Sequence, residues 1–366
     1  MKFNQKLLSF LFLGGVLSIV SFFIYQLNQN LTAQKIATGF DFLAQEAGFE
    51  ISESVIEYDS FMSYSKALVV GVVNTLKVAL LGNVLAFFVG LFIGVGSLSS
   101  HPLVSLFCRR YVHTLRNIPL LLQLFFWYAL FTDIFPSVRE AWNINGFLIS
   151  NRGFYFPLFD SSVVGWSFIA LELLLAIGLI WLIFVRWRPQ SKGLCFISML
   201  LVGSFILFGL GGLIFDVNVP QLSGFNIEGG GNFSPELTSL LLGLVLYTGA
   251  FMAEIIRAGI LSVEKGQTEA ALALGMNDWQ VMKLIILPQS FRVSLPPLIA
   301  QFLNLTKNSS LAVAIGYPDF VSIANTTMNQ TGQAIELIFL IMLVYLTFSL
   351  MTSLVMNQVN KRLMTW

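Results

Sequence analysis

Long apolar runs alternate with short polar stretches along almost the whole chain. A bilayer core is roughly 30 Å thick, so a helix that crosses it needs about 20 mostly apolar residues. Eight segments meet that requirement: 7–27, 67–97, 117–135, 162–185, 193–215, 237–256, 292–313 and 335–357. The pattern predicts an all-α polytopic bundle of transmembrane helices. The first segment follows Met1-Lys2-Phe3-Asn4-Gln5-Lys6. It is longer than the apolar region of about 7–15 residues in a signal peptide. No Ala-x-Ala site precedes Ala33, so the segment reads as an uncleaved anchor.

Composition agrees with this pattern. Of 366 residues, 56% are hydrophobic and 11% charged, against about 25% charged in a soluble domain. Disordered, collagen-like, disulfide-rich and nucleic-acid-binding chains are excluded. Cys108 and Cys195 have no metal-type spacing and sit beside basic residues, so neither a disulfide nor a metal site is expected. Net charge is only +1, but the placement of the charges is informative. With the N-terminus cytoplasmic, fourteen Lys and Arg fall on the cytoplasmic side and four on the other, with Lys77 and Lys307 inside spans. The positive-inside rule therefore places both termini in the cytoplasm.

The outer loops are acidic. One carries Asp41, Glu46, Glu50, Glu53, Glu57 and Asp59, and another, 216–236, carries Asp216, Glu228 and Glu236. Both are expected to be solvated loops. Trp142 and Tyr155 in the 136–161 loop, with Trp181 and Trp187, read as headgroup-level aromatics. Ionisable groups inside a span are costly and need a partner or a task. Lys77 lies in an unusually long second span, where its ammonium can reach the outer interface. Glu172 sits among Leu, Ile and Ala and calls for a structural partner. Gly90 and Gly94 form a small-xxx-small pair suited to close helix packing. Glu254 and Arg257, three residues apart, can pair or can position the loop that follows. On the seventh span, Gln301, Asn304 and Asn308 share one helical face, beside Thr306 and Lys307 and ahead of Ser309 and Ser310. That face should turn away from lipid, either to line a polar pathway or to hydrogen-bond a neighbouring helix.

Residues 257–291 form the longest cytoplasmic connection, and they read as helix, glycine turn, helix. Thr268 is the expected N-cap of a helix through Leu274, which Gly275 ends in the left-handed conformation. Asn277 and Gln280 resemble a capping box at the start of a second helix running to Pro288. A short helix with Ala270, Ala271, Leu272, Ala273 and Leu274 suits either the membrane surface or a groove in a partner protein.

The residues of this loop carry a resemblance. Glu269-Ala270-Ala271, then Gly275, then Ile285-x-Leu287-Pro288 resembles the EAA motif of bacterial ABC importer permeases. Tyr247 to Ile260, Leu303 to Leu311, and Arg116-Asn117-Ile118-Pro119-Leu120-Leu121-Leu122-Gln123 resemble the polar amino-acid (histidine/glutamine-type) permease subfamily. The resemblance covers about 65–135 and 237–357. It implies a five-helix type I ABC importer core made of spans 2, 3, 6, 7 and 8. Three additional helices make the chain similar to the larger permease subunits of general L-amino-acid transport systems.

The implied organisation runs from an N-terminal anchor with an acidic periplasmic loop (1–64) to the first part of the core (65–135). An inserted loop with two extra helices (136–236) follows, then the rest of the core (237–357) and a cytoplasmic tail (358–366). Implied coupling residues are Glu269, Ala270, Ala271, Gly275, Ile285, Leu287 and Pro288. The substrate-pathway candidates are Gln301, Asn304, Lys307, Asn308 and Ser309. The family pairs its permeases, either with a related chain or with themselves, in the bacterial inner membrane. They dock a cytoplasmic ATPase dimer, which uses ATP–Mg, and receive substrate from a periplasmic amino-acid-binding protein. No phosphate-binding Gly-x-x-x-x-Gly-Lys-Ser/Thr loop occurs here, so the chain itself is expected to bind no cofactor and catalyse no reaction. The rival reading is a secondary amino-acid transporter driven by an ion gradient, which usually shows inverted repeats.

Overall fold

The computed structural model describes residues 2–33, 38–159, 217–224 and 226–364. The expected fourth and fifth spans, with Glu172, Trp181, Trp187 and Cys195, lie outside the described residues. The helices are α1 (Lys2–Ala33), α2 (Tyr64–Gly96), α3 (Pro102–Asn117), α4 (Leu120–Ala129), α5 (Pro235–Leu261), α6 (Lys265–Ala273), α7 (Asp278–Val281), α8 (Leu287–Asn308), α9 (Phe320–Thr331) and α10 (Ala334–Met364). Among the described residues, three helices are long and apolar enough to cross a membrane: α2, α5 and Ala334–Gln358 of α10. A fourth span results if α3 and the helix through Ile134 are counted as one bent pair. Within α1 the apolar stretch is Phe10–Phe23. α8 does not join this set, because its polar stripe and internal Pro296 and Pro297 dilute its apolar character.

The expected span at 117–135 begins at a sharp bend. α3 and the helix after it meet at 103°. Pro119 excludes the helical region for the residue before it, and Ile118 is extended at φ −96°, ψ 125°. The bend is clamped by Gln123, whose Nε2 donates to the carbonyls of Leu115 and Ile118 at 2.9 and 3.0 Å. These bonds satisfy acceptors that the end of α3 would otherwise leave open.

The chain divides into two compact units. One comprises residues 1–77 and 318–351. Its core gathers Phe42, Ala47, Tyr64, Ala67 and Val70 with Phe320, Ile323, Ala324 and Leu337. The other comprises 78–317 and 352–366. There α5 is the central element, packed by α3, α4 and α8. Of its apolar window, 67% is buried inside the chain, against 11% for α10. The small-residue pair at 90 and 94 is seated against α5 as the sequence implies. A Cβ at Gly90 would lie 2.6 Å from Met252 Cβ, and one at Gly94 would lie 2.7 Å from the Ala253 carbonyl.

The bundle is not purely α-helical. The expected loops at 136–161 and 216–236 contain short strands. These are β1 (Trp142–Ile144), β2 (Phe147–Ser150), β3 (Gly153–Phe156), β4 (Leu158–Phe159), β5 (Val217–Asn218), β6 (Gln221–Ser223), β7 (Asn226–Glu228) and β8 (Gly231–Phe233). β1, β2, β3 and β8 form an antiparallel sheet in that order. A two-residue Asn145-Gly146 turn joins β1 to β2, with φ of 52° and 88°. That dipeptide tolerates left-handed backbone at both positions and matches strand twist. The β3–β8 pairing, with Phe154 opposite Phe233, draws together segments far apart in sequence.

Candidate coupling loop and polar stripe

The helix–glycine–helix reading of 257–291 holds, with one boundary moved. α6 starts at Lys265 rather than after Thr268. Its N-cap, Glu264, is extended and makes no side-chain cap, so the sequence carries no signal there. The end of α6 is a Schellman turn. Gly275 has φ +79°, its N–H donates to Leu272 O at 2.9 Å, and Met276 N–H donates to Ala271 O at 3.2 Å. The capping box is complete. Gln280 N–H donates to Asn277 Oδ1, and Asn277 N–H donates to Gln280 Oε1, each at 2.9 Å.

α7 does not stop at Pro288. It passes through a π-turn, Met282–Ile286, directly into α8. A proline ring clashes with the carbonyl four residues earlier in an α-helix, and a π-turn moves that carbonyl aside. The whole run 278–308 is therefore one continuous helical segment, about 45 Å along its contour at 1.5 Å per residue.

At the tip of this segment, α6 packs on α7 and the π-turn. Ala271 and Val281 are buried, while Glu269, Ala270, Gly275, Leu287 and Pro288 are exposed and Ile285 is half-buried. Leu274 is 83% exposed, and Leu272, Trp279 and Leu284 are also exposed. These exposed apolar side chains amid polar residues make the tip a candidate interaction site.

Further along the segment, α8 has two faces. Leu295, Leu298, Leu305 and Thr306 are buried, and Asn83 Nδ2 donates to Thr306 Oγ1 at 3.3 Å. Asn304 and Lys307 are exposed on the other side, with Gln301 and Asn308 half-buried. Ser309 is buried and donates to Thr306 O at 2.7 Å, which makes it a helix-end contact. The structure thus brings Gln301, Asn304, Lys307 and Asn308 onto one face, and separates Ser309 from them. Glu254 and Arg257 pair, with Nε–Oε2 at 3.0 Å and a terminal nitrogen–Oε1 at 2.5 Å.

The acidic loop 38–63 departs from a solvated loop. Phe42 and Ala47 are in the core, and Gly39 N–H donates to Glu336 Oε1 at 2.7 Å. Lys77 Nζ meets Glu53 Oε1 at 2.5 Å, which gives the intramembrane ammonium its partner. Asp41, Glu46, Glu50, Glu57 and Asp59 remain exposed.

A buried polar knot beside this pair was not anticipated. Asn74 Nδ2 donates to the carbonyls of Glu53 and Pro318 at 2.8 and 2.9 Å, and Phe320 N–H donates to Thr75 Oγ1 at 3.0 Å. Asp319 is fully buried, caps α9 through Ser322 N–H at 2.8 Å, and accepts from Tyr345 OH at 3.2 Å. Burial pushes its carboxyl up to about 7, although the donors around it favour the ionised form. The adjacent Asn74 and Thr75 in an apolar run were the available signal.

Helices of membrane-spanning length, a helix with one buried and one polar face, and an exposed capped loop mark a membrane-embedded chain with a surface open to a partner. Residues 193–365 match the family described as binding-protein-dependent transport system inner membrane component. The chain is 42% identical over 346 residues to the general L-amino acid transport system permease protein AapQ of Rhizobium johnstonii, covering 91% of this chain and 86% of that protein. It is 36% identical over 401 residues to the glutamate/glutamine/aspartate/asparagine transport system permease protein BztB of Rhodobacter capsulatus, covering 98% and 92%. A solved amino acid ABC transporter, described as crystallised with histidines, shares the fold at TM-score 0.50 and 23% identity, over 82% of this chain and 95% of that one. The chain belongs to the family of ABC transporter inner-membrane permeases, among those of amino-acid systems. That membership removes the ion-gradient-driven secondary transporter.

Proposed function

We propose that this permease imports L-amino acids across the bacterial inner membrane, with eight spans and both termini cytoplasmic. A separate ATPase dimer binds and hydrolyses ATP–Mg. A periplasmic binding protein delivers substrate, and a second permease, related or identical, completes the pathway. Relatives named for L-amino acids and for glutamate, glutamine, aspartate and asparagine support the substrate class.

The observation that carries the mechanism is the unbroken run from the exposed α6–α7 tip to the polar face of α8. A partner that grips Leu272, Leu274 and Trp279 moves one end of this segment. The other end bears Gln301, Asn304, Lys307 and Asn308, which can solvate the ammonium and carboxylate of an amino acid. Such a segment can switch between outward and inward openings when the ATPases close and separate. Glu269, Ala270, Ala271, Gly275, Ile285, Leu287 and Pro288 shape and seat the tip.

Purification of the tagged chain from its native membrane, followed by uptake in proteoliposomes, tests this reading. Co-purification with an ATPase and amino-acid uptake that needs both ATP and binding protein are expected. Uptake by the chain alone, driven by an ion gradient, would overturn it.

A further inference from the structure

A cavity of about 310 Å³ lies where the end of α2 meets α3 and α5, remote from the polar stripe in sequence and lined by different residues. Ser97, Arg109, His113, Arg116, Glu254 and Arg257 face it. Three guanidiniums therefore surround one carboxylate. That carboxylate is already occupied, since both of its oxygens are bound by Arg257. The remaining cations are held by contacts that do not neutralise them. Arg109 Nε donates to Ser97 O at 3.4 Å, and the Arg116 guanidinium lies 4.9 Å from the centre of the Phe251 ring. Neither Arg109 nor Arg116 is ion-paired among the described residues. The cavity keeps a net positive charge, with terminal guanidinium nitrogens of Arg109 available to a ligand.

The second observation is the course of α3. Leu106, Arg109, His113 and Arg116 follow one another at i, i+3, i+7 and i+10, on one helical face. Cys108 is buried off this face, and the buried Val112 lines the cavity between Arg109 and Arg116. In the turns before the basic residues, Leu103, Leu106 and Phe107 are 69%, 55% and 68% exposed. One surface of the helix thus offers exposed apolar side chains that lead into a cationic pocket. A soluble anion would use the pocket alone. A molecule with an anionic head and an acyl chain uses both.

We propose that this cavity binds the phosphate of an anionic phospholipid, with Arg109 and Arg116 on the headgroup and the acyl chain along Leu103, Leu106 and Phe107. Arginine suits the task because its planar fork matches phosphate oxygens and is weakly hydrated. The site makes the transporter's stability depend on lipid charge.

The test uses the full-length chain with its native partner subunits in nanodiscs of phosphatidylcholine, with or without phosphatidylglycerol. Native mass spectrometry reads retained lipid, and thermal melting reads stability. Wild type is expected to retain phosphatidylglycerol and to melt higher with it. Arg109→Gln with Arg116→Gln is expected to weaken retention about thirtyfold, and Arg109→Gln alone about fivefold. The single variant keeps the test usable if the double one fails to fold. Arg292→Gln, on α8 and outside the cavity, should behave as wild type. Retention unchanged in Arg109→Gln, or an equal loss in Arg292→Gln, overturns the site. Stabilisation by inorganic phosphate or glutamate in pure phosphatidylcholine, matching that by phosphatidylglycerol, overturns the lipid as its occupant.

Discussion

Replacing Gly275 by valine perturbs one backbone position and leaves its surroundings untouched. A Cβ there would meet nothing within 4 Å, so the penalty is conformational and not steric crowding. Gly275 sits at φ +79°, where an L-residue pays roughly 1–2 kcal/mol, and a β-branched one more. That corresponds to a shift of about 5–30-fold toward other turn geometries. In those geometries Gly275 N–H and Met276 N–H no longer reach Leu272 O and Ala271 O, and α6 leaves the seat that buries Ala271.

The core of the helical unit is not involved, so the melting temperature of the assembled transporter should hardly move. The ratio of amino acid transported to ATP hydrolysed in proteoliposomes should fall severalfold. Gly275→Asn should recover most of that ratio, because asparagine tolerates the left-handed region. A Gly275→Val transporter with wild-type uptake per ATP would refute the coupling role, and a large fall in melting temperature would refute the claim that the effect is local.

Lys307→Met should lower uptake while leaving the binding protein's affinity for substrate unchanged, and normal uptake would return the α8 stripe to helix packing. Gly90→Val should destabilise the assembled complex by about 1–3 kcal/mol, because the new side chain meets Met252 Cβ and backbone atoms of Gly249 and Ala253. Gly82→Ala should cost less than Gly90→Val in the same melting assay, since it meets only the Leu305 side chain, at 3.1 Å, and no backbone atom. Asp319 gives a pH signature. Its folded carboxyl titrates at about 7, above the ordinary 3.8, so the folded state binds the proton more tightly. Stability should therefore fall as pH rises from about 4 to 7, by on the order of 4 kcal/mol in total. Asp319→Asn, which keeps a capping acceptor, should flatten thermal stability across that window.

Much of this protein is written locally. The spans of α2, α5 and α10 follow from runs of apolar residues, because the length of a helix in a bilayer depends only on the chain and the membrane. The α6–Gly275–α7 turn is legible for the same reason. Its caps join residues three to five apart, so Asn277, Gln280 and Gly275 announce it without any distant partner. The polar face of α8 follows from helical periodicity alone.

Distant pairings were not legible. Glu336 meets the Gly39 backbone across 297 residues of sequence, and Phe320 N–H meets Thr75 across 245. Nothing near either residue encodes its mate. The β3–β8 pairing joins strands on opposite sides of a long insertion, and short strands with one exposed face look like loops in sequence. The fusion of α7 with α8 was hidden because proline ordinarily ends a helix, and only a π-turn in the folded chain lets Pro288 sit within one. Sequence by itself determined the membrane class, the helix–glycine–helix turn and the polar stripe, all of which rest on periodicity and local capping. Tertiary structure alone decided which acid answers Lys77, how Asp319 is buried and where three arginines converge, because those outcomes depend on which surfaces the packed helices bring within hydrogen-bonding distance.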